Sequence, residues 1–254
     1  MYQTLRIEKA GRVATLTMNA PERRNAMSQE MALEFPRAIS ELSDDQDLQV
    51  VVLTGAGKSF CAGGDLDDLL EQTTWPPERI RRHMGEFYRA FLSIIDLPVP
   101  TIAAINGAAI GAGLAVALGC DLRYAAEGAK LGATYINIGL FPGMGATHLL
   151  PYHLGHAAAA ELVLTGRVIT AQEAATLGLV NRAVAPEELE ETAFTVAREI
   201  ASKSPSAVRA MKDVLRRRMA DGLERALDVE ALAQSISFRS DEMRGILEGL
   251  RRRT

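Results

Sequence analysis

The stretch that decides the fold is Val51-Val52-Leu53-Thr54-Gly55-Ala56-Gly57-Lys58-Ser59-Phe60-Cys61-Ala62-Gly63-Gly64-Asp65-Leu66. It opens as a short, wholly apolar run, breaks into glycine-rich turns, and leads into an acidic helix. The same order returns fifty residues on, from Ile102 to Leu118: an apolar strand, Asn106-Gly107, then Gly111-Ala112-Gly113 opening an apolar helix. A fully apolar strand belongs to a sheet covered on both faces. Small residues after such a strand let backbone approach a ligand closely, and the first amides of a helix are donors without an intrahelical acceptor. Two helix starts facing one another are able to hold one developing oxyanion between two N–H groups. The plainer alternative is that these glycines only permit tight turns and close packing. On the residues alone both readings stand.

Outward from these units, Leu5 and Ile7, then Val13, Leu16 and Met18, alternate around Ala10-Gly11 and predict a β-hairpin. Ser28 is placed to cap a helix to about Leu42, with Met31, Phe35 and Ile39 at helical spacing. Glu78 to Ile95 reads as a long helix, and Leu122 to Ala125 and Lys130-Leu131 as short strands. The segment Cys61–Asp65 reads as a loop. From Gly143 onward helices dominate, with a capping box at Thr170 and Glu173, a cap and first-turn proline at Ser204-Pro205, and closing helices at 222–238 and 241–252. The expected fold class is α/β, with a core over 1–185 and a helical C-terminal subdomain over 186–254.

Composition narrows the function. The chain has 254 residues, 48% hydrophobic and 24% charged, with 28 Lys+Arg against 32 Asp+Glu and a net charge of −4. That is the balance of a folded globular chain, and it argues against a phosphate-tracking nucleic-acid binder. The basic runs Arg216–Arg218 and Arg251–Arg253 read as solvated helix faces. Cys61 and Cys120 are too few for a disulfide framework, which suits a reducing cytoplasm. Residues 1–20 carry Arg6, Glu8, Lys9 and Arg12, which interrupt any signal-peptide core. The apolar stretch Thr101–Cys120 contains Asn106 and glycines 107, 111, 113 and 119, so no membrane span is expected.

Several motifs fail on spacing. Gly57-Lys58-Ser59 lacks the P-loop glycine, which would fall at Val52. Gly55-Ala56-Gly57 and Gly111-Ala112-Gly113 lack the last glycine of a dinucleotide fingerprint, at Phe60 and Val116. Histidines 83, 148, 153 and 156 form no metal pattern, so no metal is expected.

Taken together, Pro21–Ala26, Val51–Gly55, Ser59–Leu66, Pro100–Gly107, Gly111–Gly113, Cys120-Asp121, Ile138–Gly145, Leu164–Gly166 and Ala174–Val180 resemble the enoyl-CoA hydratase/isomerase (crotonase) superfamily over nearly the whole chain. The resemblance implies a spiral of ββα units, homotrimers or hexamers, and a coenzyme A thioester substrate with no other cofactor. It implies that the thioester oxygen sits between the N–H groups of Gly64 and Ala112. It also implies that Arg24 and the loop Ala62, Gly63, Asp65 and Leu66 contact the coenzyme.

Typical hydratases in the family carry a glutamate three residues after the second oxyanion amide and another about twenty residues further on. Here those positions hold Ala115 and Tyr135. Alanine has no proton to move, and a phenol of reference pKa ~10 is a poor base at neutral pH. Tyr135 is therefore expected either to donate a hydrogen bond in catalysis or to shape the acyl pocket. Asp67, Asp68, Glu71, and Glu86 beside His83 read as solvated helix faces. The family often ends in an aromatic-bearing segment that reaches a neighbouring subunit's coenzyme site; the matching Glu248–Arg253 has no phenylalanine but keeps the charge. Gly143–Thr147 resembles the branch that dehydrates or decarboxylates carrier-protein thioesters. Three functions follow: slow or absent hydration with another enolate reaction in its place, polyketide-type chemistry, or acyl-CoA binding without catalysis.

Overall fold

A computed structural model describes residues 2–252; Arg253, within both the basic run and the family's terminal segment, lies outside them. Strands β1 (Leu5–Ala10) and β2 (Val13–Met18) form the expected hairpin. Helix α1 (Gln29–Asp44) follows, and Ser28 accepts from the Met31 N–H at 3.2 Å as its cap. Strands β3 (Val50–Gly55) and β4 (Ser59–Cys61) then lead to helices α2 (Leu66–Gln72) and α3 (Pro77–Leu92). The predicted helix to Ile95 ends three residues earlier, because residues 93–96 tighten into a 3-10 turn.

The next repeat is β5 (Thr101–Ile105), β6 (Ala108–Ile110) and α4 (Ala112–Leu118). A third is β7 (Leu122–Ala126) and β8 (Lys130–Gly132), followed by a 3-10 turn at Thr134–Ile138 and α5 (Ala146–Leu154). The first strands of the three repeats join one sheet, in the order β1-β2-β3-β5-β7 with a later sixth strand; the second strands join another, in the order β4-β6-β8 with a later fourth. Pairing between successive repeats is parallel. This is a spiral of ββα units, with each turn adding one strand to each sheet.

Helix α6 (His156–Thr165), strand β9 (Val168–Thr170), helix α7 (Ala171–Thr176) and strand β10 (Arg182–Val184) complete the two sheets. The Thr170 hydroxyl caps α7 by accepting from the Glu173 N–H at 3.1 Å. Four helices follow: α8 (Leu189–Ala201), α9 (Pro205–Ala220), α10 (Leu223–Ser237) and α11 (Asp241–Arg251).

The apolar strands are covered on both faces, as their composition requires. Val51, Leu53, Ala103 and Ile105 point into the main core. Val50, Val52, Ile102 and Ala104 pack on the other side against Leu189, Ala193 and Ala197 of α8. At α9, Lys212 is buried and its Nζ lies 2.7 and 2.8 Å from the Asp121 carboxylate, which also accepts from the Thr101 N–H at 2.7 Å. A buried ion pair of this kind costs stability if one partner alone is removed. It fixes α9 to the ends of β5 and β7.

Candidate active site

One cleft of about 920 Å³ runs between the two strand–turn–helix units, α3, and the C-terminal helices. Its floor is made by zipping two loops together. Ala62 donates to the Arg24 carbonyl at 3.1 Å, Met27 to the Gly63 carbonyl at 2.8 Å, and Asp65 to the Met27 carbonyl at 3.2 Å. This is a parallel bridge between Met27 and Gly64, and in such a bridge the bonds on one side belong to the neighbours of the central residue. The Gly64 N–H is thereby left without an acceptor among the described residues. Asn25, fully buried and left-handed at φ 55°, holds the loop in place: its amide donates to the Ala56 and Ser59 carbonyls at 2.9 and 2.8 Å.

The other amide belongs to Ala112, the first residue of α4, whose N–H likewise has no acceptor among the described residues. Gly111 precedes it at φ +55°, ψ −118°, a conformation that an L side chain rarely adopts. Gly113 brings α4 hard against β4, since a Cβ there would stand 2.3 Å from the Cys61 carbonyl oxygen. The Ala112 nitrogen lies 3.7 Å from where a Gly63 Cβ would be, so both free amides belong to the same stretch of wall.

Asp65 is buried and does two jobs. One carboxylate oxygen caps α2, accepting from the Asp67 and Asp68 N–H groups at 3.0 and 3.2 Å; the other pairs with Arg23 Nη2 at 2.5 Å. The mouth carries exposed Arg24 and, from α11, Arg251, whose Nε lies 3.4 Å from Asp67. Exposed guanidinium groups at a cleft suit phosphate.

The structure brings Arg24, Ala62, Gly63, Gly64, Asp65, Leu66, Ala112 and Tyr135 to this cleft. Ala115 is not on its wall; it is 1% exposed, within the packed face of α4. Tyr135 is buried in the 3-10 turn and its hydroxyl donates to the Gly143 carbonyl at 3.0 Å, with burial pushing its pKa well above the usual value. Asp68 departs from the expected solvated face: half-buried on the cleft wall, it accepts from the Gln29 N–H at 3.0 Å, and burial raises its pKa. Gln72 separates the cleft from a smaller polar cavity of about 370 Å³ beside His83.

Residues missed by sequence reasoning come from distant helices. Met84, Phe87 and Tyr88 of α3, Gln234 of α10, and Leu247 and Leu250 of α11 all line the cleft. The only signal for Tyr88 was an aromatic face at helical spacing, which equally describes a core. Glu230, buried on α10, accepts from the Gly145 and Thr147 N–H groups at 2.7 and 2.8 Å and from the Thr147 hydroxyl at 2.5 Å. It thus anchors the loop after Gly143, and burial pushes its pKa up to about 7. The terminal helix α11 sits on its own chain's cleft here, over α2. Among the described residues no group of His, Cys, Asp and Glu is arranged to hold a metal, and no helix is long and apolar enough to cross a membrane.

A family model described as enoyl-CoA hydratase/isomerase matches residues 8–253. The chain belongs to the enoyl-CoA hydratase/isomerase family. It is 36% identical to a short-chain-enoyl-CoA hydratase of Clostridium acetobutylicum, over 94% of this chain and 90% of that protein. It is 35% identical to a crotonyl-CoA hydratase of Syntrophomonas wolfei, over 99% and 96% of the two chains. The crystal structure of an enoyl-CoA hydratase/isomerase from Xanthobacter autotrophicus Py2 superposes with a TM-score of 0.91 at 30% identity, covering 99% of this chain and 94% of that one. Like the rest of this family, the chain is an enzyme-type scaffold for CoA thioesters.

Proposed function

We propose that the cleft binds an acyl- or enoyl-CoA thioester with its carbonyl oxygen between the N–H groups of Gly64 and Ala112, stabilising an enolate. The observation that carries this reading is that both amides lack acceptors and belong to one stretch of cleft wall. Two donors aimed at the thioester oxygen make the α-carbon acidic and the β-carbon electrophilic, with each donor contributing ~3–4 kcal/mol to the transition state. The guanidinium groups of Arg24 and Arg251 lie at the mouth, where the phosphates of the coenzyme would enter. The reaction needs no cofactor beyond the coenzyme A carried by the substrate.

Water addition to straight-chain enoyl-CoA is slow or absent in this reading. Hydration needs one group to activate water and one to protonate carbon, each supplying ~10²–10⁴-fold. Ala115 has no such group, and the Tyr135 proton is engaged at Gly143. Isomerisation or decarboxylation, with less proton traffic, loses less. Those same two positions favour, as a second reading, a protein that binds acyl-CoA without turning it over. We also propose homotrimers or hexamers, supported by the exposed Met211, Val214, Val229, Leu232 and Ile236 on α9 and α10.

The test is Ala112→Pro, which removes the donor at a first-turn position where proline is tolerated in a helix. Across enoyl-, β-ketoacyl- and malonyl-type thioesters followed by mass spectrometry, kcat should fall ~10²–10³-fold with the circular dichroism unchanged. Unaltered turnover rejects the oxyanion site. Binding by calorimetry with no turnover of any thioester by the wild type selects the second reading.

A further inference from the structure

The Tyr88 hydroxyl is buried and has no hydrogen-bond partner among the described residues. Native structures rarely leave such a group unpaired, because its desolvation is uncompensated. It stands on the cleft wall beside Gly143, where an added Cβ would lie 2.6 Å from the phenolic oxygen and 2.6 Å from Gln234 Nε2. Three polar side chains therefore gather around a residue that has none of its own. Two are committed: Tyr135 donates to the Gly143 carbonyl at 3.0 Å, and Gln234 donates to the Phe141 carbonyl at 2.7 Å. Tyr88 is not. Burial holds its proton on, so it is a donor throughout the ordinary pH range.

We propose that Tyr88 is a specificity-determining residue whose hydroxyl donates to an oxygen on the acyl chain, so that the preferred thioesters carry a hydroxyl, keto or carboxylate oxygen beyond the thioester carbonyl. This rests on the thioester reading of the cleft and deepens it. The cleft lining also includes Met84, Phe87, Ile138 and Leu140, which accept hydrocarbon but supply no donor side chain. A purely hydrocarbon acyl group filling this space would leave the Tyr88 hydroxyl without a partner, whereas an oxygenated one would satisfy it. Sites built to hydrogen-bond a substrate discriminate strongly against analogues that lack the matching group.

Calorimetric titration of the whole protein with butyryl-CoA, 3-oxobutyryl-CoA and malonyl-CoA tests this, with Tyr88→Phe beside the wild type. The wild type should bind one of the two oxygenated ligands about 10-fold or more tighter than butyryl-CoA, equivalent to ~1.4 kcal/mol. In Tyr88→Phe that ratio should fall to about one, through loss of affinity for the oxygenated ligand. The unliganded variant should melt no lower than the wild type, because the change removes an unpaired hydroxyl and no bond. The same ratio in both proteins, or a wild type that prefers butyryl-CoA, overturns the inference and leaves the thioester reading standing. A variant that melts several degrees lower shows that the hydroxyl has a structural partner, and also overturns it. A wild type that binds none of the three overturns both.

Discussion

The two strand–turn–helix units that flank the cleft share a scheme and differ in what holds them. All seven residues of α4 are buried, and its first turn is pressed onto β4 at Gly113. Of the seven residues of α2 only Gln72 is buried; its start is held by the Asp65 cap and the Arg23 ion pair. One free amide is thus positioned by packing and the other by charge and hydrogen bonding. Packed interiors transmit any change in volume, whereas a capped helix near a cleft mouth yields a little. Substitutions should therefore act very differently on the two sides.

The sharpest break is Gly113→Ala. Its Cβ would meet backbone, the Cys61 carbonyl at 2.3 Å, which cannot step aside without moving β4. We expect a loss of ~3 kcal/mol or more, seen as a fall in melting temperature of about 6–12 °C or as failure to fold. A variant melting within about 2 °C of the wild type would show that α4 is held less tightly than described.

Asp65→Ala comes next. It removes two cap bonds and leaves Arg23 with only the longer 3.5 Å contact to Asp67. Loss of a cap typically costs ~0.5–2 kcal/mol, and chemical denaturation should place this variant between the other two. The smallest effect is expected from Gly64→Ala, since its Cβ finds the Leu69 side chain at 3.5–3.6 Å, an ordinary contact. Stability should stay within ~0.5 kcal/mol of the wild type and the N–H remains in place. If Gly64→Ala proved as damaging as Gly113→Ala, the contrast between the units would be wrong.

The parts of the fold legible in the sequence are those with a long enough pattern. The apolar runs of β3 and β5, the alternation of β1 and β2, and the cap and spacing of α1 each repeat a signal several times. Strands β4 and β6 have three residues each, too few for a period to show, and Cys61–Asp65 reads as a loop for that reason although Cys61 ends β4. Of the second sheet only β8 was legible, as Lys130-Leu131. Of the residues lining the cleft, Arg24, Ala62–Leu66 and Ala112 lie in the ordered family segments, and Tyr135 stands where typical hydratases carry a glutamate. Tyr88, Gln234 and Leu247 were not, because they reach the cleft only through the packing of α3, α10 and α11, for which local sequence carries no mark. Ala115 shows the converse: its position in the motif said pocket, and its packing says core.

The closure of the cleft by α11 has a consequence in the order of synthesis. The wall joins Glu22 and Arg24 to Leu247 and Arg251, which are synthesised much later. A nascent chain can wind the spiral repeat by repeat as it emerges, yet the pocket stays open on one side until α11 leaves the ribosome. A ligand that needs this wall can then stabilise only a chain that already includes α11.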